Sequence, residues 1–174
     1  MKVFIWYLPI IFIFHDMEEI IGFGIWAKKN KPYFEKKYPK VLRMMSGFST
    51  EGFALGVYEE LILCILICIG TVCVNNTVGY AIWLGILVAM DLHFVIHIGQ
   101  SALLKQCIPS LITSVISLPI STYIIVTCFK QMGTVGVFEM IGILCGIIIV
   151  PLNLILSHKI IRYSTKKMGF ETFF

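Results

Sequence analysis

The stretch His15-Asp16-Met17-Glu18-Glu19 carries one imidazole and three carboxylates inside an otherwise apolar run from Val3 to Ala27. A charged side chain at the centre of a bilayer costs roughly 2.5–3.5 kcal/mol on insertion scales, so ionisable groups inside a span point to function. On a helix, positions i, i+3 and i+4 share a face. His15, Glu18 and Glu19 are therefore expected to point the same way, with Asp16 about a quarter-turn off. One imidazole and two carboxylates on one face make half of a metal site or a proton site. The other half must come from elsewhere in the chain.

Two later stretches offer it. His93 and His97 stand at i, i+4, a spacing that lets two imidazoles reach one metal ion. Gln100 continues that face, and Asp91 precedes it; both are candidates for orienting a ligand rather than holding the ion. Further back, Glu51, Glu59 and Glu60 share one apolar run. At 100° per residue, Glu59 lies roughly 80° from Glu51 and Glu60 roughly 180°, which favours Glu59 as the one sharing Glu51's face.

The candidate metal ligands are thus His15, Glu18, Glu19, Glu51, Glu59, His93 and His97. Glu18 and Glu60 are the candidate catalytic bases. Histidines mixed with carboxylates, and with no thiolate placed to join them, suit iron, manganese or zinc. Bundles that hold two such ions take a Glu from each of two helices plus Glu-x-x-His pairs. His15-x-x-Glu18 has that spacing in reverse order. More candidates are present than the four ligands of one zinc ion, so the expectation is a divalent, dinuclear centre. A metal-free proton or substrate relay, and a purely structural polar network, both remain open, because Glu–His hydrogen bonds offset much of the burial cost.

The elements that must position these groups are membrane spans. The 174 residues are 58% hydrophobic and 14% charged, against about 45–50% and about 25% in a soluble domain. A span needs about 20 apolar residues. Five are readable, near 3–27, 46–74, 79–104, 109–129 and 135–161, in one transmembrane domain covering 1–174. The fold class is therefore all-α, a polytopic membrane helix bundle. Between the first two spans lies a basic loop, 28–45, with Pro32 and Pro39 as breakers. Twelve of the fourteen lysines and arginines fall on one side if that loop is cytoplasmic. The positive-inside rule then predicts the N-terminus outside and the C-terminus inside. Trp6, Tyr7 and Trp26 stand near span ends, as interfacial aromatics do.

Counting residues from the cytoplasmic basic groups gives depth. Glu19, Glu51 and His97 share a layer roughly 12–14 Å inside those groups. His15, His93, Glu59 and Glu60 lie deeper. The net charge of +4 reflects basic loops rather than a nucleic-acid surface, so lipids are the expected partners and nucleic acid is not. The six cysteines show no CxxC spacing and read as small buried hydrophobes.

With these motifs in hand, the chain resembles the HXXEE membrane-protein family. The resemblance rests on His15-Asp16-Met17-Glu18-Glu19, Ser49-Thr50-Glu51-Gly52-Phe53-Ala54-Leu55-Gly56-Val57, His93-Phe94-Val95-Ile96-His97-Ile98-Gly99-Gln100-Ser101 and Pro109, in matching order. Two positions depart from the family's pattern: Lys105-Gln106 stands where paired arginines are common, and Ser110 where glycine is common. A looser likeness links the chain to intramembrane glutamate proteases of the CAAX-processing type, from which it departs at Phe23, where an arginine is expected. The resemblance implies a fold and a motif but no reaction. The residues themselves suggest a metal-dependent enzyme of a bacterial plasma membrane, acting on a lipid or hydrophobic substrate. The alternative is a transporter or immunity-type protein using the same cluster as a proton or cation relay.

Overall fold

The computed structural model describes residues 1–174 and is all-helical. Six α-helices follow a short N-terminal 3-10 turn: α1 (Tyr7–Lys37), α2 (Pro39–Met45), α3 (Thr50–Val74), α4 (Thr77–Leu104), α5 (Leu111–Met132) and α6 (Val137–Met168). Of these, α3, α4, α5 and α6 are long and apolar enough to cross a membrane. α1 has the length, but Asp16, Glu18 and Glu19 fall within its apolar half and set it apart.

Local chemistry fixes the joints. Asn75 ends α3 in the left-handed region at φ 48°, and Asn76 then caps α4, its Oδ1 accepting from the Gly79 amide at 2.7 Å. Ser49 caps α3 by accepting from the Gly52 amide at 2.9 Å. These side-chain oxygens satisfy amides that a helix start leaves free.

Small residues let the helices approach. A Cβ added at Gly56 would meet Ile161 and Ser157 of α6 at 2.7 Å, so the Gly52-xxx-Gly56 face is the contact between α3 and α6. Gly146 of α6 sits against Gly85 of α4, where an added Cβ would come within 2.9 Å of the facing Cα. Without a hydrophobic force between helices in lipid, such close van der Waals packing is what associates them. α6 thus packs on α3 and α4, α5 on α4, and α1 on α3 and α5. α1 and α4 are not among the closely packed pairs, and a gap runs between them.

Near the N-terminus the gap is sealed. Ile5, Leu8, Trp83, Leu84 and Leu87 are fully buried, and the Ile5 carbonyl accepts from both Trp83 Nε1 and Cys68 Sγ at 3.2 Å.

The segment expected as the basic loop is instead mostly helix. α1 continues through Pro32 to Lys37, and α2 starts at Pro39. Pro32 removes one helical hydrogen bond, but Phe34 is buried and stacks edge-on against Trp26 at 5.4 Å, which holds the helix together past it. Pro39 does act as a breaker, at the first position of α2. The C-terminal segment is also less loose than its basic composition suggests. Phe173 is buried against Phe23, and its amide donates to the Phe48 carbonyl at 2.9 Å.

Candidate metal centre

His15 and Glu19 of α1 face His93 and His97 of α4 across the gap. One ligand-type atom from each of the four lies within 4.8 Å of every other. The His97 Nε2 is 2.8 Å from the His93 Nε2 and 3.2 Å from Glu19 Oε1. The His15 ring stands 5.3 Å from that of His93 and 5.2 Å from that of His97. His15 is wholly buried, and the Glu19 and His97 side chains are 13% and 12% exposed.

Helical geometry explains how one motif splits. Relative to His15, Glu19 lies about 40° to one side and Glu18 about 60° to the other. Glu19 turns toward α4. Glu18 turns toward the start of α5, where Oε2 accepts from the Thr113 amide at 2.8 Å and from Thr113 Oγ1 at 2.6 Å. Ile112's amide reaches Oε1 at 3.4 Å. A carboxylate is stabilised there by free amides and by the helix dipole. α5 needs this help, because its cap residue Ser110 supplies no side-chain hydrogen bond to it.

The hydrogen-bond network assigns the His15 tautomer. Thr113 Oγ1 has one proton, and the short, charge-assisted bond to Glu18 takes it. The hydroxyl must then accept from His15 Nδ1, 3.1 Å away. His15 Nε2 is left with its lone pair, buried and without a hydrogen-bond partner. Buried polar atoms are nearly always paired, so this lone pair is open to a water or an ion.

His97 has a related conflict. A neutral imidazole has one N–H. A proton on His97 Nε2 can serve either His93 or Glu19, not both well, and His97 Nδ1 is also buried and unpartnered. A cation at this point would accept the lone pairs of the two Nε2 atoms and of the Glu19 carboxylate together. Tetrahedral zinc with N and O ligands at about 2.0–2.1 Å places them roughly 3.4 Å apart. The observed 2.8 and 3.2 Å contacts, and the 4.8 Å limit, lie on either side of that spacing. The four residues could hold a metal ion between them.

The other candidates lie elsewhere. Glu51 is exposed in the first turn of α3. Glu59 faces α6 and accepts from Asn153 Nδ2 at 3.3 Å. Measuring helical phase from Glu51 misorders the two, since Glu51 itself faces outward. Glu60 is the one on the cavity wall, and Asp16, buried, joins it there. Asp91 binds α4 to α5, accepting from the Ser121 hydroxyl and from Thr122 Oγ1 at 2.7 Å. Gln100 lines the cavity on the face of His93 and His97. Thr113 is the residue that sequence reasoning missed. Its only signal was its place three residues beyond Ser110, in the first turn of a helix.

The cavity has a volume of about 560 Å³ and is lined mainly by apolar side chains of α1, α2, α3, α4 and α6. Glu19, His93 and His97 form part of its wall, whereas His15 is wholly buried and does not line it.

A protein family described as "Protein of unknown function with HXXEE motif" matches residues 6–124. The chain belongs to this family. No curated protein and no solved structure matches the chain. The family match takes in α1 to α4 and most of α5, and with them every residue of the cluster, Glu18 and Thr113. α6 lies beyond it. In the HXXEE motif of this chain, His15 and Glu19 meet α4, while Glu18 holds α5 in place.

Proposed function

We propose that this HXXEE protein is a metal-dependent membrane enzyme acting on a lipid or other hydrophobic substrate. His15, Glu19, His93 and His97 would hold one divalent ion, with zinc, iron and manganese matching the donor set. The observation that carries this is the unpartnered His15 Nε2, aimed by Thr113 and Glu18 and buried beside three other ligands. When bound, such an ion activates water or polarises a carbonyl. Glu60 and Asp16 line the same cavity and would be the groups to move a proton. Glu18 would not, because α5 occupies it. The helices would span the membrane five times, α1 included, with the N-terminus outside, because the positive charge gathers around the α1–α2 joint and the end of α6.

A cation relay is the second reading. Asp16 and Glu60 favour it, since they extend the polar wall beyond Glu19, His93 and His97. Turnover separates the two. Protein loaded with each metal in turn is incubated with an extract of total membrane lipid and the lipids are followed by mass spectrometry. We expect a lipid to be converted by the wild type and not by Glu19→Gln. Metal-loaded protein that converts nothing would favour the relay.

A further inference from the structure

The cavity's charge and shape define what enters it. Its wall carries Asp16, Glu19 and Glu60 and no lysine or arginine. Apart from an ion held at the cluster, no lysine or arginine stands on this wall to pair with an anion, and three carboxyl groups would face it. An ionised group buried without a partner is strongly disfavoured. The shape adds a second constraint. On one side of the cluster the cavity continues between Leu8, Phe12, Leu63 and Ile67; on the other it runs to Val41 and Met44 of α2. Leu8 lies seven residues before His15, so the deep arm extends about 10 Å beyond the cluster.

We infer that the ligand of this cavity is an uncharged long-chain lipid, with a polar link such as an ester at the His/Glu wall and its chain in the arm lined by Leu8, Phe12, Leu63 and Ile67. This rests on the proposed function for the role of the cluster, but the ligand class follows from the wall itself. α2 supports it from the mouth: Val41, Met44 and Met45 turn toward the cavity, while Lys40 and Arg43 do not line it. A neutral headgroup therefore meets no lysine or arginine at the mouth.

Photolabelling tests the inference. Detergent-purified, zinc-loaded protein is exposed to a long-chain monoacylglycerol bearing a diazirine at the chain end, and separately to the ionised fatty acid with the same chain. We expect the monoacylglycerol to label peptides containing Leu63 and Ile67 about tenfold more than the fatty acid, the ratio set by about 1.4 kcal/mol of discrimination. Excess unlabelled monoacylglycerol should remove that signal, as should Leu63→Trp, which fills the arm. Equal or stronger labelling by the fatty acid would overturn the inference. So would labelling of lipid-facing residues only, unchanged by the competitor, a result that does not depend on the variant folding. Zinc content measured on the same sample keeps the two claims apart. Protein that binds zinc but prefers the fatty acid contradicts only the ligand class. Protein that binds no zinc but labels as expected contradicts only the metal.

Discussion

Thr113 Oγ1 stands 3.1 Å from His15 Nδ1, and that contact decides which imidazole nitrogen is free to bind. The hydroxyl proton goes to Glu18, so the ring donates from Nδ1 and presents Nε2 to the cluster. Loss of such an outer partner typically weakens metal binding by about 10–100-fold. We therefore expect Thr113→Val to weaken zinc affinity by that order and Thr113→Ser to restore most of it, as measured by competition with a chelating dye. Equal affinity in both variants would remove the tautomer argument.

Adjacent glutamates of the motif should fail differently. Glu18→Gln keeps an oxygen for Thr113 but removes the charge at the start of α5, worth about 0.3–1 kcal/mol at a helix N-terminus. Glu19→Gln removes a ligand atom 3.2 Å from His97. The first should lower the melting temperature in detergent and leave metal content near normal. The second should lose metal with little change in melting. The reverse pattern would mean that the two roles have been exchanged.

Ser110 adopts φ +77°. A non-glycine residue in the left-handed region is strained by roughly 1–2 kcal/mol. Ser110→Gly should raise the melting temperature, and an unchanged or lower value would show that the Ser110 hydroxyl, buried here, offsets the strain.

The contact between α3 and α6 can be broken selectively. Gly56→Leu would force a side chain into Ile161 and Ser157, whereas nothing lies within 4 Å of a Cβ at Gly70. Overpacking typically costs about 1–3 kcal/mol. We expect Gly56→Leu to melt well below wild type and Gly70→Leu to match it in thermal scans in one detergent.

How far the chain could be read follows from which interactions are local. The all-helical class was legible because apolar runs of membrane length announce themselves, and Asn75-Asn76-Thr77 marks the turn where α3 ends and α4 begins. Depth counting placed Glu19 and His97 in one layer, and they meet at 3.2 Å. What could not be read was azimuth. A shared face of 100° or so contains both Glu18 and Glu19, and only the position of α5 sends them apart. Glu59 and Glu60 differ by a single helical step, and α6 decides which of them turns to the cavity. Counting candidates favoured a dinuclear centre; the structure gathers four of the seven, while Glu18 turns to α5, Glu59 to Asn153 and Glu51 to the exposed start of α3. Pro32 read as a breaker because the burial of Phe34 beyond it is a tertiary fact.

Metal stoichiometry and melting temperature, taken on one detergent-purified preparation of wild type and His97→Ala, test the cluster most directly. Cells are grown with iron, manganese and zinc supplied. We expect one ion per wild-type chain, and a His97→Ala protein that stays folded but holds much less metal. A wild type carrying no metal, with a His97→Ala variant that melts far below it, would show that His15, Glu19, His93 and His97 are a structural hydrogen-bonded network instead.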